Sequence, residues 1–342
     1  MFKLISGLFL GWALGSNDAA NIFGTAVATR AIKFWTAAIL TSIFVIIGAV
    51  LEGAGGMHTL GSLSTQTVNS AFITSLSAAI TVTIMTYFKL PVSTSQAVVG
   101  AILGTAIVRQ SVNFSPLGKI ILAWILTPLG ALIISIVFMK IFEKFIEPYI
   151  KNVFQLDRFV KVGLIISGIY GSYALGANNV ANVTGVFVKT NIITSFQGAI
   201  FGGLAISIGV LTYSKNVMMT VGKGITELSP LNALIAVLAE STTVYIYAQV
   251  GIPVSTSQAI VGAIVGWNFY TGHSTDYGVL VDIVLTWIVC PLLAAVFSIL
   301  LYLLLKFIII KVRIHLLRLD MLIRISLVVA GAFGAYSLGA NN

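Results

Sequence analysis

The hydrophobic positions of this chain run in blocks of roughly 20 residues, the length that crosses a bilayer as a helix. Such blocks fall at 34–53, 67–88, 118–141, 196–214, 232–250 and 282–305. Two more, 4–28 and 162–188, are apolar but carry polar residues in their middle. Another two, 94–108 and 256–270, are too short to span comfortably and suit re-entrant half-helices. Segments 142–161 and 306–323 are charged and partly amphipathic, and read as interfacial helices. The pattern predicts an all-α polytopic membrane protein.

The blocks repeat. Asn17 and Asn178 lie 161 positions apart. Pro91-Val-Ser-Thr-Ser-Gln96 returns 162 later as Pro253-Val-Ser-Thr-Ser-Gln258, and Trp124 with Pro128 returns 163 later as Trp287 with Pro291. Three landmarks at nearly one period divide the chain into repeat 1 (1–161) and repeat 2 (162–323). Residues 324–342, ending Gly339-Ala-Asn-Asn342, read as the start of a third copy, as if the chain were part of something longer.

Charge gives the repeats an orientation. In repeat 1, Arg30, Lys33 and Lys89 fall on one side of the two clear spans, with Glu52 and His58 on the other. Repeat 2 reverses this: Lys215 and Lys223 occupy the loop matching Glu52–His58, and the loop matching Lys89 is the uncharged Gly251-Ile-Pro253. Lys189 is the exception. Positively charged loops stay cytoplasmic, so the repeats are expected to have opposite orientation. Inverted repeats with discontinuous helices meeting near mid-membrane are a transporter arrangement.

Composition narrows the class. Of 342 residues, 58% are hydrophobic and 8% charged, against about 25% charged in soluble domains. The net charge of +9 is spent on loops between spans, so no nucleic-acid partner is expected. Cys290 is the single cysteine, which excludes an intrachain disulfide and a cysteine metal cluster. No P-loop, Ser-His-Asp set or metal motif supports an enzyme.

Two motifs could carry chemistry. Ser93, Thr94 and Ser95, with Gln96, follow a proline and open a helix, as do Ser255, Thr256 and Ser257 with Gln258. A helix N-terminus offers free N–H groups and about half a positive charge, and the hydroxyls add donors. That combination can hold an anion without Arg or Lys. The other motif is the polar cluster Asn17, Asp18, Asn21 and Thr25, matched by Asn178, Asn179, Asn182 and Thr184. Its oxygens suit a hard cation such as sodium, and Gly15 and Gly24 are expected to let the helix break there. Asp18 is matched by Asn179, so the two clusters differ in charge. Glu240 stands alone inside an apolar span, either as an ion or proton ligand or as a paired structural acid.

Gly15-Ser-Asn-Asp-Ala-Ala-Asn21 with Phe23–Val27, Leu90-Pro-Val-Ser-Thr-Ser95, Gly176–Asn182 and Ile252–Ser257 resemble the inorganic phosphate transporter (PiT) family, as does Val221-Gly-Lys-Gly224 through Pro230. The resemblance covers nearly the whole chain. It implies cation-coupled phosphate uptake, with Asn17-Asp18 and Asn178-Asn179 binding cation and the turns Ser93–Ser95 and Ser255–Ser257 binding phosphate. Two departures stand out: Asn179 where the family usually has Asp, and Val45 near the place where some members carry glutamate. The expectation is a multi-pass cell-membrane symporter of phosphate and sodium, with no cofactor beyond the coupling ion and room for a homo-oligomer. Proton coupling, sulfate as the cargo, and a channel or structural membrane protein are the alternatives.

Overall fold

The computed structural model describes residues 2–87, 92–224, 229–273 and 275–312. Lys89, Leu90 and Pro91, the segment 313–323 and the third copy at 324–342 lie outside the described residues, as do the side chains of 220–224, Lys223 among them. Within them the regular structure is helical. Twelve α-helices follow in order: α1 (Ile5–Ala28), α2 (Phe34–Glu52), α3 (Ala54–Gly61), α4 (Val68–Tyr87), α5 (Thr94–Val108), α6 (Phe114–Phe145), α7 (Val153–Lys189), α8 (Ser195–Thr212), α9 (Ser214–Gly224), α10 (Pro230–Gln249), α11 (Thr256–Thr271) and α12 (Tyr277–Val312).

Seven of these, α2, α4, α6, α7, α8, α10 and α12, are long and apolar enough to cross a membrane. The protein is a multi-pass membrane protein. Helices α6 and α12 are the least enclosed, with 28% and 17% of their apolar windows buried, so they form the lipid-facing perimeter. The short α5 and α11 are buried nearly throughout, α5 under α12 and α11 under α6. Helices α1 and α7 run through the centre.

Packing is exchanged between the halves. Helix α1 packs on α8, and its counterpart α7 packs on α2. A Cβ on Gly15 would lie 1.9 Å from the Ile206 carbonyl oxygen, and one on Gly176 would lie 2.0 Å from that of Val45. The same relation joins Gly100 to Pro291 and Gly262 to Pro128, each at 2.1 Å. Corresponding helices also run antiparallel. Rising along α1, Gly7 meets Phe187, Gly11 meets Val183 and Phe23 meets Gly168, so the partners on α7 descend. Ser42 of α2 and Ser207 of α8 each donate to the other's carbonyl, at 3.4 and 2.9 Å.

Three expectations change. Helices α1 and α7 are unbroken through their polar clusters. The glycines there give neighbouring backbones room to approach rather than breaking the helix. Segment 142–161 does not form a helix of its own. It is the end of α6, a turn around Glu147–Tyr149 and the beginning of α7, where Asn152 caps Gln155 N and Lys161 pairs with Asp157 at 2.8 Å. Residues 306–312 likewise continue α12. Finally, α3 and α9 escape the reading by hydropathy, being short and glycine- or lysine-bearing.

Candidate functional site

The two half-helices start face to face. Ser93 caps α5 by accepting from Gln96 N at 3.3 Å, and Ser255 caps α11 by accepting from Gln258 N at 3.2 Å. The third residue of each turn reaches across: Ser95 Oγ donates to the Val254 carbonyl at 2.8 Å, and Ser257 Oγ donates to the Val92 carbonyl at 2.7 Å. Each turn therefore lends a hydroxyl to the other's backbone. Cys290 of α12 packs behind the first turn, its thiol 3.6 Å from the Ser93 carbonyl.

Asp18 lies where the halves meet. Its Oδ2 accepts from Thr94 Oγ1 at 3.1 Å and from Asn179 Nδ2 at 2.9 Å. Asn179 is Asp18's own counterpart, so the pair sits on the relation between the halves. The flanking amides follow the same plan. Asn182 Nδ2 donates to Ser95 Oγ at 2.9 Å, while Asn21 Nδ2 lies 3.3 Å from both Thr256 Oγ1 and Ser257 Oγ. Asn178 holds Val254 from both sides, donating to its carbonyl at 2.8 Å and accepting from its N–H at 3.0 Å. It also donates to Asn179 Oδ1.

Not every residue singled out by sequence joins this network. Asn17 turns to α4 and donates to Thr86 at 3.2 Å. Thr25 offers its carbonyl to Thr29 and no side-chain bond to the network. Thr184 bonds to Val180 and Gly198 of its own side. Arg109 is at the far end of α5, bonded to Thr65 and Ser70. In the other direction, the carbonyls of Val92 and Val254 were invisible to a side-chain reading. The motif's position after a proline was the only hint that backbone would be exposed there.

The balance of donors and acceptors is uneven. Among the described residues, Asp18 Oδ1, Asn182 Oδ1, Gln96 Oε1 and Gln258 Oε1 are buried without a hydrogen-bond donor. Buried acceptors of this kind carry a cost of about 1–3 kcal/mol each unless something positive or protic meets them. Among the described residues, no Lys, Arg or His is bonded to Asp18. The arrangement offers carboxylate, amide and backbone oxygens to a cation, and hydroxyls at two helix N-termini to an anion.

Known proteins share this plan. The profile of the phosphate transporter family matches residues 14–298 and again 250–336. A protein of Methanocaldococcus jannaschii inferred to be a phosphate permease is 34% identical, over 86% of this chain and 94% of its own. The sulfate permease CysP of Bacillus subtilis is 28% identical, over 87% of this chain and 86% of its own. A solved structure described as the sodium-dependent phosphate transporter superposes with a TM-score of 0.81 at 25% identity, covering 90% of this chain and 98% of that one.

Proposed function

The chain belongs to the phosphate transporter family, whose members are permeases and not enzymes, and from that premise we propose that it is a sodium-driven phosphate symporter working by alternating access. Its two units, 1–161 and 162–323, are inverted in the membrane, and the site lies between them. The antiparallel course of corresponding helices supports this reading. So does the neighbour described as sodium-dependent.

One observation carries the mechanism: the site's hydroxyls are bonded to the acceptors a cation would need. Ser95 and Ser257 hold the carbonyls of Val254 and Val92, and Thr94 holds Asp18. A phosphate ion draws the hydroxyls of Ser93–Ser95 and Ser255–Ser257 toward itself, assisted by two helix N-termini. The oxygens so released, with Asp18, Asn178, Asn179, Asn182 and Asn21, turn to sodium. Each ion undoes hydrogen bonds whose other halves the second ion uses. Binding of both therefore costs less than the sum of binding either alone, which is a coupling free energy. A permanent Arg pairing would be strong and charge-assisted. Here the attraction disappears when sodium leaves.

Phosphate is preferred over sulfate as the cargo because of Gln96 and Gln258, whose Oε1 atoms are acceptors without donors. A phosphate carrying a proton can donate to them, and sulfate cannot. The similarity to a sulfate permease makes this the comparison to run. Purified protein in liposomes should take up labelled phosphate faster under an inward sodium gradient, with sulfate a poor competitor. Asp18→Asn should remove the sodium acceleration while the protein stays folded. Uptake indifferent to sodium in the parent, or sodium activation intact in the variant, is incompatible with the proposal.

A further inference from the structure

Glu240 has no part in the network around Asp18, yet it is buried to the same degree, 1% exposed against 1%. It lies in the middle of α10, and its Oε2 accepts from the Ser241 hydroxyl at 3.2 Å. The position matching it in the first half, on α4, is Ala78, which is fully buried. Conversely, Asp18 is matched by the neutral Asn179. Each half thus brings one buried carboxylate to the centre, from different helices. A Cβ on Gly171 of α7 would lie 2.5 Å from the Ser241 hydroxyl that bonds Glu240 and 3.2 Å from Ile22, one turn along α1 from Asp18, so the two carboxylates flank the same helix contact.

Asp18 of α1 is a like charge that acts on Glu240, and the Tyr170 phenol of α7 lies within its field. On α6, Lys140 lies over the Tyr270 ring, Glu143 accepts from the Tyr270 hydroxyl and Lys144 lies over Phe145, so they are engaged elsewhere. A cluster of phenols and one carboxylate forms where α7, α10 and α2 meet. Tyr170 stacks edge-on against Tyr245 at 5.5 Å, Tyr173 is tilted against Tyr245 at 6.1 Å, and Tyr245 donates to the half-buried Glu52 at 3.4 Å, which also bonds Gln249. Isolated buried carboxylates are too costly to persist charged without compensation. Asp18 Oδ1 is itself unpartnered.

From this placement we infer that Glu240 is a second acid of the transport centre, taking up one positive charge per cycle in addition to the cation at Asp18. The charge is a sodium ion or a proton. The sparse oxygen shell, with one side-chain hydroxyl bonded and the α10 backbone helical, suits a proton better than a metal ion. This rests on the phosphate–sodium reading above and adds a site to it.

The experiment measures charge carried per phosphate, from reversal potentials in liposomes containing the protein or its Glu240→Gln variant. The variant should move one positive charge fewer per phosphate and still exchange labelled phosphate across the membrane. Counting labelled sodium per phosphate then separates the sources. A sodium count lower by one names sodium, and an unchanged sodium count with lost acidification of the lumen names the proton. Equal charge, sodium and proton counts in parent and variant overturn the inference while leaving symport intact. A parent that moves no phosphate overturns the transport reading instead. Should Glu240→Gln fail to assemble, the parent is treated with dicyclohexylcarbodiimide and the adducts are mapped by mass spectrometry. An adduct on Glu240 suppressed by sodium or by raised pH supports the inference. No adduct there, or one that neither condition changes, overturns it.

Discussion

Thr94 and Thr256 show what a single hydroxyl does at this site. Each stands at the first position of a buried half-helix; Thr94 donates to the Asp18 carboxylate, and Thr256 accepts from Asn21 beside it. Replacement by Val keeps the volume and removes the donor. Losing a hydrogen bond to a charged group costs roughly 1.5–3 kcal/mol, or about ten- to a hundredfold in affinity. Thr94→Val and Thr256→Val should each weaken half-saturation by phosphate by that factor, measured as initial uptake against concentration. Both staying within about twofold of the parent would remove phosphate from these turns. At this scale the sequence was a good guide to identity and a poor one to partners. Ser95 and Ser257 were legible as donors, but their acceptors, the carbonyls of Val254 and Val92, have no signature in residue type. Asn17 was grouped with Asp18 because they are neighbours in sequence. On a helix neighbours point about 100° apart, so it faces Thr86.

At the scale of the element, the informative residues are the glycines. Gly15 and Gly24 suggested broken helices, since glycine and polar groups often mark unwound segments in membranes. The alternative use of glycine, letting one backbone approach another, leaves the same mark in the sequence. Only the neighbour distinguishes them, here Ile206 against Gly15. Gly15→Ala would overpack the α1–α8 crossing, at a cost of about 1–3 kcal/mol. The detergent-solubilised variant should unfold at a clearly lower temperature than the parent. Gly118 is the control, because a Cβ there meets nothing within 4 Å on the exposed side of α6. Gly118→Ala should be neutral or stabilising by up to about 1 kcal/mol through helix propensity. Equal melting temperatures for Gly15→Ala and the parent would show that the crossing is looser than described. Hydropathy located the long spans well because burial in lipid leaves a 20-residue signature. It missed α3 and α9, whose length is set by packing on α7 and α1.

For the whole molecule, the proposal of inverted units makes a geometric claim. His58 follows α2 and Lys215 follows α8, and these helices are antiparallel. With Cys290 replaced by serine, a cysteine at His58 and one at Lys215 should react with an impermeant maleimide from opposite faces of the membrane. Labelling of both from one face would contradict the inversion. The period of 161–163 residues carried most of this architecture in the sequence. What it could not carry was the exchange of partners, α1 with α8 and α7 with α2, because a repeat says that two units are alike and not how they interlock.

The meeting of Asp18 with Asn179 has a consequence for inheritance. A duplicated gene can copy one half over the other, and at most positions here such a correction would do little harm, since counterparts occupy like surroundings. Asp18 and Asn179 are different, because each is the other's neighbour. Two aspartates would set like charges at bonding distance and need a proton or a cation between them to persist there. The mixed pair of this chain is held by an amide hydrogen bond with no ion between its members. The repeats of this protein are therefore unequal at their point of closest contact, and that contact holds together without the ion.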